Sequence, residues 1–447
     1  MMINMQVTQQ RWIIRVWQRF KKEIRWLTPG IGVKRWLALI LLGTTLLGVG
    51  LAVFTLDVYR SAPDTWWLPI LSIISLRALS RPLRVLIFAV IGGGLILVGT
   101  WGINRALLKP FTVPGKPIID AVSNYRRRDR GPRIVAIGGG HGLAALLRGL
   151  KDYTHNLTAI VTVADDGGSS GELRRTIGIL PPGDIRNCLA ALSNDEALLT
   201  QVFQYRFTSG AGLEGHSLGN LFITALSDIT GSFEEAVAES GRVLAIHGQV
   251  LPSTLHDVKL VADLQPGNSD QSIRVSGESK ITQSYGTVHR VWLEPGNPPA
   301  FPPAIAAILS AELIIIGPGS LYTSILPNLL VPDLANAIRA SRALKFFICN
   351  VATQPGETDG YSCRDHVMAV EKHVGSSLFN LVISNKLFNG FLPEGSDWVR
   401  TDNTVEEEFP IYQSDLADTG NPWRHDSARL SQVVIDLFFE RTGPLVG

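Results

Sequence analysis

Four glycines around a histidine, Gly138-Gly139-Gly140-His141-Gly142, follow directly on the apolar run Ile134-Val135-Ala136-Ile137. Glycines after a strand let backbone N–H groups close on a ligand phosphate, and a helix beginning there adds a favourable partial charge. The spacing is not G-x-G-x-x-G, so the dinucleotide fingerprint is met only loosely, and the loop alone could equally be a tight turn. A second polar cluster, Asp165-Asp166-Gly167-Gly168-Ser169-Ser170, follows the β-rich run 158–164. An acidic pair at a strand end can accept a ribose hydroxyl or hold Mg²⁺ beside phosphates, and the serines add donors. An aspartate capping a turn is the plainer alternative.

Four further segments have this character. Pro182-Gly183-Asp184-Ile185-Arg186-Asn187 and Gly215-His216-Ser217-Leu218-Gly219-Asn220 each precede a helical pattern. The apolar run Leu313-Ile314-Ile315-Ile316 opens into Gly317-Pro318-Gly319-Ser320-Leu321-Tyr322, a second phosphate-loop candidate. Phe346-Phe347-Ile348 leads likewise into Thr353-Gln354-Pro355-Gly356. Short, wholly apolar runs are the mark of strands buried in a parallel sheet. Strands that end repeatedly in Gly/Ser/Asn/Asp loops describe a ligand crevice at strand ends. The expected fold is therefore α/β, a Rossmann-like, doubly wound, mostly parallel sheet preceded by N-terminal transmembrane helices. No G-x-S-x-G, H-E-x-x-H or G-x-x-x-x-G-K-[ST] occurs; His141 and His216 could act as donors or acids.

Charge divides the chain. Residues 1–133 hold 20 Lys/Arg against 5 Asp/Glu, leaving 21 against 34 in the remainder, a net of −13. An acidic domain argues against nucleic acid as a partner, because phosphate backbones are held by clustered Lys/Arg. Cys188, Cys349 and Cys363 are widely spaced and suggest neither a disulfide framework nor a zinc site. Residues 36–56 and 85–103 carry no charge over a length that can cross a bilayer. Basic residues flank both runs, which puts the large domain on the cytoplasmic side of the plasma (inner) membrane. The expected organisation is a basic amphipathic tail over 1–35, an anchor over 36–104, a linker over 105–132 and a nucleotide-binding domain over 133–447. Membrane lipid is then a partner through the N-terminal segment, and a homo-oligomer is compatible with the sequence.

Taken in order, IVAIGGGHGL, VTVADDGGSSGELR, PPGDIRNCL, GHSLGNL, GPGSLYTSILPNLL and NVATQPGETDGY resemble the gluconeogenesis-factor (YvcK-type) family, itself similar to the CofD-type 2-phospho-L-lactate transferases. The hydrophobic segment lies outside the family's usual soluble pattern and looks like an added anchor. The resemblance implies a Rossmann-like fold that binds a nucleotide-diphosphate ligand, a UDP-sugar, in a regulatory protein linked to gluconeogenic growth, cell shape and envelope synthesis. It implies no defined turnover. Gly138, Gly139, Gly140, Gly142, Gly317, Gly319 and Ser320 would cradle the diphosphate. Asp165 or Asp166 would fix ribose or sugar hydroxyls, beside Ser169 and Ser170, and Asn187, Asn220 and Tyr322 would orient the ligand. His141 departs from the small hydroxyl residue expected in the loop and would be a phosphate partner or a lid. The alternative is a Mg²⁺-dependent CofD-type transferase with Asp165 and Asp166 as metal ligands. An NAD(P)-dependent oxidoreductase is discounted, because the fingerprint is loose and no acid/base pair for hydride transfer stands out.

Overall fold

The computed structural model describes residues 80–108 and 127–443, apart from 194–197, 267–270, 285, 377 and 402–408, with scattered positions between 41 and 79. The chain divides into two compact units, Met1–Arg126 and Arg127–Val446. In the first unit, a 28-residue helix, Arg81–Leu108, contains the second expected span, with Leu86, Val90, Leu97 and Val98 exposed along it. Among the described residues, no helix is long and apolar enough to cross a membrane, so the expected transmembrane helices gain no support. The amphipathic tail, most of the first span and most of the linker lie outside the described residues.

The second unit is built on seven parallel strands. They are β1 (Ile134–Gly138), β2 (Leu157–Val161), β3 (Gln249–Pro252), β7 (Leu313–Ile316), β8 (Leu344–Ile348), β9 (Leu381–Asn385) and β10 (Ile411–Ser414). Their order across the sheet is β10-β9-β8-β7-β1-β2-β3. Every residue of β1, β2, β7 and β9 is buried, which explains why these strands read as unbroken apolar runs. The expectation of a Rossmann-like parallel α/β sheet is met.

Two consequences of the topology position the site. The chain lays down β1, β2 and β3 toward one edge, then crosses over and lays down β7 to β10 toward the other. The direction therefore reverses between β1 and β7, the place where open α/β sheets leave a crevice. The register also keeps three strand ends level, since Ile137 pairs with both Ile160 and Ile316. Two backbone bonds just past the strands continue this alignment: Thr162 N–H to the Gly138 carbonyl (3.2 Å) and Gly317 N–H to the Ile137 carbonyl (2.9 Å).

Between β3 and β7 the chain forms a second, antiparallel sheet, β5-β4-β6, from β4 (Lys259–Pro266), β5 (Ile273–Ser276) and β6 (Gly286–Glu294). A register shift between Asp263 and Leu264 lets Leu260, Leu264, Val288, Val291 and Leu293 all be buried. A short helix, Glu278–Gln283, links β5 to β6.

The helix after β1, Gly140–Leu150, packs against the C-terminal helix Ser427–Thr442. Their backbones touch at Gly149, where an added Cβ would fall 2.1 Å from the Ser427 carbonyl oxygen. Gly149→Ala should therefore destabilise the domain by roughly 1–3 kcal/mol through overpacking. Urea unfolding of the full chain in detergent should show a lower midpoint for the domain's transition. An unchanged midpoint would mean that the two helices do not pack this closely.

Candidate functional site

The first glycine loop is shorter than its sequence suggests. Gly138 closes β1, Gly139 is extended, and the helix begins at Gly140, whose φ of +64° suits a residue without Cβ. His141 and Gly142 thus belong to the first helical turn, where unpaired N–H groups face the strand ends. The loop also needs glycine for lack of space. A Cβ on Gly139 would lie 2.5 Å from Asp184 Oδ2, and one on Gly142 would lie 2.7 Å from the Pro318 carbonyl oxygen. The loops after β1 and β7 therefore meet backbone to backbone. Asn328 ties them together by donating from Nδ2 to the carbonyls of Gly138 (2.9 Å) and Ser324 (2.7 Å). The loop after β8 supports this contact: Asn350 exchanges bonds with both backbone groups of Gly319 (3.3 and 2.8 Å), and Gln354 Nε2 donates to Ser320 Oγ (2.8 Å).

Tyr322 sits in a π turn, Leu321–Ile325, immediately after that loop. The turn is held by buried Glu357, whose Oε1 accepts from the N–H groups of Tyr322 (2.7 Å) and Thr323 (3.0 Å). The Tyr322 hydroxyl is 2.8 Å from that of Tyr361, and its ring is buried, so its side chain builds the wall behind the loop.

The helix Gly168–Ile177 likewise starts inside its glycine–serine run and buries Ser169 and Ser170 in its first turn. Asn220 Nδ2 donates to Ser169 Oγ (3.1 Å), and Ser169 lies 3.0 Å from His216 Nδ1. The other ring nitrogen, His216 Nε2, lies 3.3 Å from Glu172 Oε2. Ser217 caps the helix Leu218–Thr230 and also accepts from Arg186, which reaches Asn187 Oδ1 at 2.9 Å. Asn187 is thereby held by its neighbour. Asn220 Oδ1 is buried without a partner.

Carboxyl groups gather on one side of this crevice. Asp165 Oδ1 accepts from Gly167 N–H (2.8 Å), and Asp166 Oδ1 accepts from Ser279 N–H (2.9 Å). Asp184, on the helix Gly183–Leu192, and Glu278, on the second sheet's short helix, complete the group. Burial, followed by the charge of Asp165, pushes the Asp184 carboxyl up to about 7 against the pull of the Gly140 N–H and Arg186. Glu278 is raised well above its ordinary value by burial and then by Asp165, Asp184, Glu357 and Asp166, and its Oε2 is buried without a partner. Positive charge reaches the same place, since Arg186 bears on both Asp184 and Asp165. His141 is exposed, yet its pKa is lowered by partial desolvation and then by Arg424, Arg186 and Arg148. Asp184, Glu278, Arg186 and Arg424 were not identified as site residues from the sequence. Asp184 and Arg186 lie within a motif that had been noticed, whereas Glu278 comes from a region with no motif at all.

Among the described residues, no set of three His, Cys, Asp or Glu side chains could hold a metal ion. Asp165 and Asp166 each give one oxygen to a different backbone N–H.

The raised Asp184 has a thermodynamic signature. Between the ordinary carboxylate range and about 7, the folded chain keeps a proton that the unfolded chain has released, so this group lowers stability as pH rises through that window. Glu357, also pushed up to about 7 by burial, acts in the same direction. Asp184→Asn removes one of these contributions, while the raised Glu278 continues to act in the same direction. The variant's urea midpoint should fall less between pH 5 and pH 8 than that of the wild type, and an equal fall would reject the assignment.

Comparison with known proteins places this geometry. Residues 134–438 match the family model described as 2-phospho-L-lactate transferase CofD. A putative gluconeogenesis factor from Nostoc sp. is 49% identical over 390 residues, covering 85% of this chain and 82% of the relative. One from Clostridium acetobutylicum is 37% identical over 438 residues, covering 94% and 93%. A crystal structure of a Bacillus halodurans protein superposes with a TM-score of 0.65 at 40% identity, covering 68% of this chain and 99% of that one. The Nostoc and Clostridium matches extend well into the segment before the domain. That segment is thus shared by these two relatives, whereas the Bacillus halodurans protein is matched over 99% of its length by 68% of this chain. With two-thirds of its length matched by the family model and its relatives aligned over most of theirs, the chain belongs to the CofD family, among the relatives named gluconeogenesis factors.

Proposed function

We propose that this protein is a membrane-tethered regulator that binds a nucleotide sugar of the UDP-sugar class and serves carbon metabolism, cell shape and envelope synthesis. The observation that carries the reading is the meeting of two glycine loops, after β1 and β7, at the reversal point of the sheet. Their backbones line a crevice beside the helix starting at Gly140, a setting that favours a diphosphate. The cations around His141 add attraction for the same anion in a domain that is otherwise acidic. Asp165 and Asp166 suit ribose or sugar hydroxyls, and the unpartnered Asn220 Oδ1 can accept from the ligand. The relatives' name supports the link to carbon metabolism. The transferase alternative is favoured by the family match and by no further observation.

UDP-N-acetylglucosamine should stabilise the full chain without Mg²⁺, by about 2–3 kcal/mol at a hundredfold excess over Kd, read as a rise in melting temperature. If no UDP-sugar shifts the melting temperature, the ligand assignment fails.

Tethering rests on the uncharged runs 36–56 and 85–103 with their basic flanks, on the apolar side chains exposed along Arg81–Leu108, and on relatives that share the segment. The large domain would then face the cytoplasm. Deleting residues 1–110 should move the protein from the membrane fraction to the soluble one. Persistence in the membrane fraction would refute the tether.

A further inference from the structure

A second concentration of charge lies away from the crevice, on the antiparallel sheet. Strand pairing sets Asp263 on β4 opposite Arg274 on β5 and opposite Arg290 on β6, so a carboxylate stands between two guanidinium-bearing residues across three strands. Asp263 accepts from Arg274 Nε (3.1 Å), which leaves the Nη edge of that guanidinium for another acceptor. The same guanidinium lies over the Trp292 ring, 4.8 Å from its centroid, which holds it in one orientation. Lys372, on the helix Cys363–Val374, donates one bond to the His289 carbonyl (3.1 Å) and keeps donors to spare. These residues border one cavity of about 580 Å³, within the size range of small-molecule sites. Three cations meet one carboxylate there, in a part of the chain whose net charge is −13.

We propose that this cavity is a separate binding site for a small phosphorylated metabolite, with Arg274, Arg290 and Lys372 holding its phosphate. Cross-strand ion pairs on an open sheet face are ordinary solvated surface, but they balance their charges. This group has two positive charges in excess, the complement of a phosphate monoester near neutral pH. Two guanidinium forks and an ammonium supply the planar and point-charge donors that phosphate oxygens take.

The cavity has a physical connection to the crevice. His373 lines it, accepts the Val291 N–H on Nε2 (3.0 Å), and packs its ring edge-on to Tyr322 at 5.8 Å. Tyr322 sits in the turn directly after the second glycine loop. An occupant of the cavity therefore bears on a ring that backs the loop. A coupling of this kind is reciprocal, each ligand changing the affinity for the other by the same factor.

Equilibrium dialysis of the full chain in detergent against radiolabelled inorganic pyrophosphate, at about 0.15 M salt to screen loose surface attraction, tests the assignment. The wild type should show a saturable component that Arg274→Ala/Arg290→Ala weakens at least tenfold while its circular dichroism stays unchanged. Any binding in the strand-end crevice is common to both proteins and cancels, so the result does not depend on what the crevice binds. Should the double variant fail to fold, Lys372→Ala alone should weaken the same component several-fold. A folded variant that binds pyrophosphate like the wild type, or binding that never saturates, overturns the proposal.

Discussion

The structure depends on one close contact, the approach of the loop after β1 to the loop after β7 with no side chain between them. Neither Gly139 nor Gly142 has space for a Cβ, because a carboxylate oxygen and a carbonyl oxygen stand where it would go. Everything nearby serves that contact. The level ends of β1, β2 and β7 bring the loops to the same height, Asn328 joins them, and Asn350 and Gln354 fix the far side. The turn that follows is anchored by a single carboxylate, Glu357, which takes two backbone N–H groups that would otherwise be buried unpaired.

Around this contact the protein crowds carboxyl groups, with Asp165, Asp166, Asp184 and Glu278 acting on one another and Arg186 only partly offsetting them. Crowding carboxyls in a desolvated place is costly, and the raised Asp184 and Glu278 record that cost.

Much of the sheet was legible in the sequence because buried parallel strands leave a distinctive record: short apolar runs such as Ile134–Ile137 and Leu313–Ile316, each followed by glycine. The glycine loops were legible for the same reason. The point at which loop gives way to helix was not, since glycine and serine are poor helix formers and yet open the helices at Gly140 and Gly168. Tertiary packing and the pull on the strand ends override propensity there. Asp184 and Arg186 read as residues of a capping loop and proved to be helical residues facing the crevice. Glu278 could not be placed, because more than a hundred residues and an unrecognised second sheet separate it from Asp166, and no periodicity joins them. Tyr322 was recognised as belonging to the site, but only the packing reveals that its ring lies behind the loop.

The origin of Glu278 has an evolutionary consequence. The sheet, both glycine loops and Asp165 come from the parallel core, whereas Glu278 arrives on a small antiparallel module spliced between β3 and β7. One wall of the crevice is therefore an exchangeable part. A lineage could lengthen, reshape or replace that module, and so alter which hydroxyls the crevice reads, without disturbing a single strand pairing in the core. Divergence in ligand among proteins of this fold would then be concentrated in the module, while the phosphate-facing backbone stayed the same.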